Sequence, residues 1–222
     1  MQRIPEPELM DDFDQARAYA AADFAEPHQR FVELLRERFP SQAPASALEL
    51  GCGAADICIR FARAFPRSIV HGIDGAEAML ACGREAVRAS GLADRVELVR
   101  GYLPDDAPPR AEYELLFSNS LLHHLAEAGV LWQSVRRFAQ PGAPVFVMDL
   151  MRPASRAEAA ELRARYAAGE PPVLQRDFEC SLLAAYTPDE VEAQLLSAGL
   201  ETLRVEVVSD RHLIVWGRTP AA

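Results

Sequence analysis

The residues best suited to chemistry lie in residues 47–56, ALELGCGAAD, where an apolar run leads through Glu49 into a Gly-Cys-Gly turn. Gly51 and Gly53 can adopt positive φ and lack a Cβ, so a ligand can approach the backbone closely. The apolar residues after the turn follow helical spacing as far as Pro66, which predicts a helix with free N–H groups at its start. The pattern predicts a ligand lying across a strand–turn–helix crossing of a doubly wound sheet.

Asp56 indicates which ligand suits this turn. A dinucleotide fingerprint has glycine or alanine at this position and holds pyrophosphate on the helix N-terminus. The carboxylates of Asp56 and Glu49 would repel a pyrophosphate. A ligand without phosphate and with a cationic centre fits better, and S-adenosylmethionine, with its sulfonium and ammonium groups, is such a ligand.

Three motifs together resemble a class I S-adenosylmethionine-dependent methyltransferase of the small-molecule type, over residues 44–149. Residues 49–53, ELGCG, match the family's first motif, with Ala55 in place of its usual third glycine. Asp74 ends the next apolar stretch, where the family's acidic residue binds the ribose hydroxyls. Residues 118–125, SNSLLHHL, resemble the family's fourth motif, which lies beside the transferable methyl group.

The resemblance implies S-adenosylmethionine as cofactor and S-adenosylhomocysteine as product. Glu49 is expected to orient the glycine turn and the ammonium end of the ligand, and Asp74 to bind the ribose. Many relatives have an acidic residue where Tyr102 stands, so Asp105, Asp106 or backbone groups are expected to read the adenine instead. The expected cofactor contacts are Tyr19, Glu49, Gly51, Cys52, Gly53, Asp74, Gly75, Met79, Gly101, Tyr102, Ser118, Asn119 and Ser120.

Methyl transfer from a sulfonium is an in-line displacement that needs positioning and no covalent nucleophile. A base helps when the acceptor is a hydroxyl, phenol or thiol, and His123 is the expected catalytic residue; a packing histidine is the alternative. Adjacent helical residues point about 100° apart. We therefore expect only one of His123 and His124 to face the methyl group, and no metal site.

Several other side chains have two interpretations each. Arg152, which follows Asp149, is expected either to hold a carboxylate on the acceptor together with Arg156 or to form a surface ion pair. Tyr166, Phe178 and Tyr186 are expected either to line an acceptor pocket or to pack the segment around them. Phe13 and Tyr19 are expected either to touch the ligand or to pack between helices.

Composition narrows the class of protein. The chain has 222 residues and a net charge of −10, which argues against phosphate-backbone partners. The resemblance implies a small-molecule acceptor. The four cysteines have no metal-ligand spacing, so we expect reduced thiols and a cytoplasmic protein. No apolar run resembles a signal peptide or reaches the roughly 20 residues that span a bilayer. A homodimer is a further expectation.

Alternating strand and helix patterns predict an α/β fold: a doubly wound, seven-stranded, mostly parallel sheet with an antiparallel last strand, the Rossmann-like methyltransferase fold. Residues 1–40 are expected to form an N-terminal helical lid, with residues 1–10 loose. Residues 41–150 form the S-adenosylmethionine-binding core, residues 151–186 an inserted helical segment on the acceptor side, and residues 187–222 a C-terminal helix and strand hairpin of the same domain. Two functional alternatives are a nicotinamide-dependent oxidoreductase and a non-catalytic S-adenosylmethionine-binding regulatory protein.

Overall fold

Seven strands form one mixed sheet in the computed structural model of the protein, which describes residues 1–6 and 9–221. In sheet order β3-β2-β1-β4-β5-β7-β6, all strands run parallel except β7, which is antiparallel to both of its neighbours. The predicted fold class is therefore confirmed. The strands are β1 (Ser46–Leu50), β2 (Ile69–Asp74), β3 (Val96–Arg100), β4 (Leu115–Asn119), β5 (Pro144–Leu150), β6 (Leu203–Val207) and β7 (His212–Arg218).

Helices connect and cover these strands. Proline suits a first helical turn, and the Pro171-Pro172 pair opens α7. Thr187 and Glu190 form a capping box at the start of the last helix. The helices are α1 (Phe13–Ala21), α2 (Ala25–Arg38), α3 (Asp56–Ala64), α4 (Glu77–Ala89), α5 (Gly129–Phe138), α6 (Arg156–Tyr166), α7 (Pro172–Ala184) and α8 (Pro188–Ser197).

Two hydrophobic cores lie on opposite faces of the sheet. Alternate residues of β4 show the division, since Phe117 packs toward α2 and α3 while Leu116 packs toward α5 and α8. The order of strands reverses between β1 and β4. Ligands of such sheets bind beyond the carboxyl ends of the strands at this switch point, where residues 51–56 and 120–125 lie.

The N-terminal region differs from a simple lid. Helix α2 belongs to the core, because Phe31 is fully buried and its ring lies 5.0 Å from that of Phe146 and 6.0 Å from that of Phe117. Helix α1 contacts α4 and α7. Residues of α1 and of the segment before it, such as Tyr19 and Met10, line the cavity at the switch point, and α2 contributes His28 to the same lining.

The first six residues are held in place, although the sequence predicts a loose end. Arg3 donates from Nη2 to the carbonyl oxygens of His123 and Leu125, both at 2.9 Å, and the Ile4 N–H donates to the Leu183 oxygen at 3.0 Å. Residues 7 and 8 of the predicted loose stretch lie outside the described residues. The segment thus joins the turn after β4 to the end of α7.

Candidate functional site

The glycine turn has the backbone that the motif predicts. Gly51 has φ +71° and Gly53 has φ +48°, in the left-handed region that favours glycine. A Cβ added at Gly51 would lie 2.7 Å from the Leu121 side chain. Ala55, which replaces the usual third glycine, also has φ +64° and forms the N-cap of α3. Ala55 therefore keeps the left-handed conformation that a glycine would adopt here. For a residue with a Cβ this conformation costs roughly 1–2 kcal/mol of folding free energy.

Asp74 ties the end of β2 to this turn. Its Oδ2 accepts a hydrogen bond from the Gly53 N–H and its Oδ1 accepts one from the Ala76 N–H, both at 2.8 Å. Burial raises the pKa of this carboxyl above its ordinary value. Each oxygen has a further lone pair beside the cavity that the residue lines. These lone pairs can accept hydrogen bonds from two ligand hydroxyls.

Glu49 presents a buried carboxylate oxygen to the same cavity. The residue is 1% exposed, and its Oε2 has no hydrogen-bond partner among the described residues. Burial raises the pKa of this carboxyl well above its ordinary value. Because a buried, unpaired carboxylate is costly, this position fits a ligand that brings a cationic hydrogen-bond donor such as an ammonium group.

The predicted cofactor residues converge on this cavity with one exception. Ser118 is fully buried, and its hydroxyl donates to the Leu50 carbonyl at 2.7 Å, so it joins β4 to β1 and does not line the cavity. Its neighbours Asn119 and Ser120 do line it. The predicted residues in the lining are Tyr19, Glu49, Gly51, Cys52, Gly53, Asp74, Gly75, Met79, Gly101, Tyr102, Asn119 and Ser120.

Aromatic side chains form two walls of the cavity. Tyr19 on α1 covers it, and burial raises the pKa of its phenol to about 12, so it is neutral at physiological pH. Tyr102 also lines the cavity and is half-exposed. The carboxylate of Asp106 accepts a hydrogen bond from the Tyr102 N–H at 2.8 Å. This carboxylate therefore already has a partner within its own loop. Phe13 is 54% exposed and is not among the residues that line either cavity.

Asp56 has a partner that the sequence did not indicate. Its Oδ2 accepts from Arg60 Nε at 2.6 Å and lies 2.7 Å from His28 Nδ1. Burial alone would raise the pKa of Asp56, but the hydrogen bonds from His28 and Arg60 lower it below its ordinary value. The carboxylate is therefore ionised in the cavity wall. His28 comes from α2, and no local pattern connects it to the glycine turn.

A second cavity of about 450 Å³ adjoins the first. Both are lined by Met10, Tyr19, His28, Asn119, Ser120 and His124. Tyr166 and Phe178 line the second cavity, as one interpretation of the sequence predicts. Tyr186 instead donates its hydroxyl to the Leu125 carbonyl at 3.0 Å. On the side of the inserted segment the lining of the second cavity is mixed, with the apolar Leu174 and Phe178 beside the carboxylates of Glu170 and Asp177.

His123 and His124 lie in a turn after β4 and not on a helix, so the expected 100° separation does not apply. Their ring centroids are 4.3 Å apart, and both residues line the second cavity. His123 is 3% exposed, with Nδ1 2.5 Å from Asp149 Oδ1. Burial alone would lower the pKa of His123, but the Asp149 carboxylate raises it above its ordinary value.

Asp149 and Arg152 have roles other than those predicted. Asp149 is 1% exposed and also accepts from the Leu122 and Leu150 N–H groups, both at 2.7 Å. Arg152 is buried and donates from Nη2 to Glu190 at 2.6 Å. The two residues therefore form neither an acceptor-binding pair nor a surface ion pair, and the exposed Arg156 lies apart at the start of α6.

The remaining sequence-level expectations concern thiols and membranes. Cys52, Cys58, Cys82 and Cys180 all have free thiols. Burial raises the pKa of the Cys52 thiol well above its ordinary value, so this residue is an unreactive part of the turn. Within residues 1–6 and 9–221, none of the helices combines the length and the apolar character that crossing a bilayer requires.

Comparison with known proteins agrees with this geometry. Residues 47–142 match the family model of a methyltransferase domain. The chain is 30% identical over 167 residues to a trans-aconitate 2-methyltransferase of Methylobacterium nodulans, covering 75% of this chain and 60% of the relative. A structure of a SAM-dependent methyltransferase from Aquifex aeolicus has a TM-score of 0.68 at 19% identity, covering 94% of this chain and 98% of the other. A plantazolicin methyltransferase, solved with a substrate analogue and SAH, has a TM-score of 0.70 at 14% identity, covering 93% and 91%.

Residues 47–142 belong to the methyltransferase-domain family, and the relatives and structural neighbours support a class I S-adenosylmethionine-dependent methyltransferase. The cofactor of this family fits the cavity, because Glu49 offers an unpaired buried carboxylate oxygen to the ammonium group and Asp74 offers acceptors to the ribose. The nicotinamide and regulatory alternatives are not favoured by these findings. The chain spans about half to three fifths of the length of the first curated relatives that it matches.

Proposed function

We propose that the protein transfers a methyl group from S-adenosylmethionine to a small-molecule acceptor. The observation that carries this proposal is the continuity of the two cavities: the one that holds Glu49 and Asp74 shares a wall with one lined by apolar residues and histidines. Two curated relatives of this chain are a trans-aconitate 2-methyltransferase and a demethylmenaquinone methyltransferase. Both are named for small-molecule acceptors. The acceptor would lie in the second cavity, against residues of α6 and α7.

The bound cofactor supplies a methyl group on a positively charged sulfur, which passes to the acceptor in line as the carbon–sulfur electron pair returns to sulfur. The chain's own task is then to hold and orient. Glu49 pairs with the ammonium group, Asp74 accepts from the ribose hydroxyls, and the backbone of the glycine turn allows close approach. Tyr19 excludes water by covering both cavities. Such positioning supplies most of the rate enhancement that this chemistry needs.

His123 is the residue that we propose for proton removal from an acceptor hydroxyl, phenol or thiol. In the tautomer that donates its Nδ1–H to the Asp149 side chain, His123 keeps a lone pair on Nε2. The residue lies in the wall of the acceptor cavity, directly after the strand that borders the cofactor cavity. A base in this position is needed only when the attacking atom carries a proton to be lost.

The location and assembly of the protein stay predictions from the sequence. Free thiols on all four cysteines support a cytoplasmic location. Residues 151–186 supply part of the wall of the acceptor cavity, and we propose that a homodimer forms through this segment. Sedimentation of the purified protein at several concentrations measures its oligomeric state directly.

The proposed activity is tested first by ligand binding. Saturating S-adenosylhomocysteine, at about 100 times its dissociation constant, is expected to raise the melting temperature by roughly 5–10 °C. A nicotinamide dinucleotide at the same concentration is expected to give no shift. A shift with the dinucleotide and none with S-adenosylhomocysteine would overturn the proposal.

Turnover is tested with tritiated methyl donor and the low-molecular-weight fraction of a cell extract. We expect label in a small molecule with the wild-type protein and with Asp94→Ala, an exposed carboxylate remote from both cavities. We expect none with Glu49→Ala/Asp74→Ala. Binding of S-adenosylhomocysteine without labelling of any extract fraction would support a regulatory protein in place of an enzyme.

A further inference from the structure

Glu6 lies against both histidines of the turn after β4, which the sequence gives no reason to expect. Its Oε1 is 3.6 Å from His123 Nε2 and 3.4 Å from His124 Nδ1. One ligand atom from each of the three residues lies within 4.8 Å of the other two. A carboxylate and two imidazoles thus converge on one point beside the acceptor cavity.

The distances suit a shared ion better than a direct ion pair. Charge-assisted N–H···O hydrogen bonds are about 2.7–2.9 Å long, which is shorter than either contact. Two ligand atoms at about 2.0–2.1 Å from one tetrahedral zinc ion are about 3.4 Å apart. The Glu6 contacts at 3.4 and 3.6 Å match that spacing.

Glu6 is held with one oxygen aimed at this point. Ser181 Oγ donates to Glu6 Oε2 at 3.3 Å. The other oxygen, Oε1, is buried and has no hydrogen-bond partner within the described part of the chain. The Glu6 side chain is only 11% exposed, so its Oε1 gains little from water. A cation at the convergence point would satisfy this oxygen.

His123 is oriented as a metal-ligating histidine is. Its Nδ1 is hydrogen-bonded to Asp149 Oδ1, and its Nε2 faces Glu6. In metal sites an outer carboxylate commonly fixes the tautomer and ring orientation of a ligating histidine in this way. Asp149 is itself fixed by the Leu122 and Leu150 N–H groups.

We propose that Glu6, His123 and His124 bind one divalent transition-metal ion of the zinc type. Two imidazoles and a carboxylate are a ligand set for zinc and related ions, whereas magnesium and calcium prefer oxygen ligands alone. Three protein ligands leave a fourth position open. Since both histidines line the acceptor cavity, that position is accessible from it.

The site has a consequence for the role of His123. A nitrogen lone pair serves one partner at a time, so an ion bound at Nε2 prevents this imidazole from accepting a proton. The acceptor can then bind the ion through its own oxygen, nitrogen or sulfur. Metal binding itself does not depend on methyl transfer, and its test is therefore independent of the proposed function.

The probe is zinc added to the chelator-treated, full-length protein, with binding followed by calorimetry. We expect one zinc ion per chain, and at least about tenfold weaker binding after Glu6→Gln or His124→Ala, since even outer contacts change metal affinity by about 10–100-fold. The matched control is His212→Asn, because His212 lines the same cavity but its Nδ1 contacts Ser209 Oγ, outside the three residues. This control is expected to bind zinc like the wild type.

Two results would overturn the site: absence of a one-to-one complex with zinc at micromolar concentrations, or equal affinity in Glu6→Gln, His124→Ala and the control. X-ray absorption of the zinc complex gives a second readout that does not depend on the variants folding alike. It is expected to show two imidazole nitrogens at about 2.0–2.1 Å. A spectrum with sulfur ligands would instead assign the zinc to a cysteine such as the exposed Cys180 and would reject the proposed site.

Discussion

Asp149 on β5 and His123 in the turn after β4 are joined by a buried hydrogen bond of 2.5 Å. The same carboxylate accepts from the backbone N–H groups of Leu122 and Leu150. One side chain therefore closes the turn, ends the strand and orients the imidazole. The relationship places Asp149 behind the site, where it supports His123 and does not face the acceptor.

Replacing Asp149 is expected to destabilise the protein. Asp149→Ala leaves two backbone N–H groups and an imidazole without their acceptor, and each buried unsatisfied group costs about 1–3 kcal/mol. The free energy of unfolding in urea is expected to fall by at least about 3 kcal/mol. The exposed Asp94→Ala is the control, with a change of about 0.5 kcal/mol or less. A loss below about 1 kcal/mol for Asp149→Ala would contradict the assigned role.

Asp74 is expected to contribute strongly to cofactor affinity. Asp74→Ala removes the acceptors proposed for the ribose and the carboxylate that holds the Gly53 N–H, so the loss is roughly 2–4 kcal/mol. This corresponds to about 30- to 1,000-fold weaker binding of S-adenosylhomocysteine in calorimetry. Asp94→Ala is again the control. Wild-type affinity in a folded Asp74→Ala variant would show that another group binds the ribose.

Glu49 links cofactor binding to pH. Burial raises its pKa in the free protein, so the folded state holds a proton that the unfolded state loses near the ordinary value of 4.5. Below pH 4.5 the Glu49 carboxyl is protonated in both states and its contribution to the free energy of unfolding is fully present. The contribution is lost as the pH rises from 4.5 through the higher pKa of the folded state. Glu49→Gln cannot ionise, so the free variant is expected to lose less stability than the wild type as pH rises.

The same residue predicts proton release on binding. An ammonium group beside Glu49 favours the carboxylate, so binding of S-adenosylhomocysteine lowers the pKa of this residue and its affinity increases with pH. Calorimetry in buffers of different ionisation enthalpy measures the released protons. Release is expected for the wild type and not for Glu49→Gln. Equal release by both proteins would assign the proton to another group.

Ser120 stores backbone strain at the boundary of the two cavities. It has φ +55°, although it is not glycine, and it lines both cavities. Ser120→Gly is expected to stabilise the protein by up to about 1 kcal/mol, which raises the melting temperature by roughly 2–4 °C. The β-branched Ser120→Val is expected to lower it. A lower melting temperature for Ser120→Gly would show that the serine side chain outweighs the strain.

Much of the fold follows from patterns that are local in the chain. Most strands of the sheet are short, largely apolar runs bounded by turn residues, and α8 begins at the capping box formed by Thr187 and Glu190. Such signals depend on a few neighbouring residues and can therefore be read without the structure. The inserted segment was less predictable, because Pro171-Pro172 equally suits a break and a helix start.

The cofactor cavity was predicted best where the family motif covers it. The glycine turn and Asp74 lie at strand ends, and parallel strands bring their carboxyl ends together. Ser118 was assigned to the cavity by its position in a motif, but alternation along β4 turns its hydroxyl toward Leu50. A shift of one residue along a strand moves a side chain to the other face of the sheet. The structure is therefore needed to determine whether Ser118 faces the cavity.

The sequence by itself determined the doubly wound sheet, the glycine turn and the carboxylates of Glu49 and Asp74, because strand ends and turns are set by local residue types. The tertiary structure decided the surroundings of His123. It brought Asp149 from the next strand and Glu6 from the N-terminal segment to opposite sides of one imidazole. Glu6, His123 and Asp149 are too far apart in the chain to share a period or a spacing. The N-terminal segment packs against the turn after β4 and the end of α7, which brings Glu6 to His123.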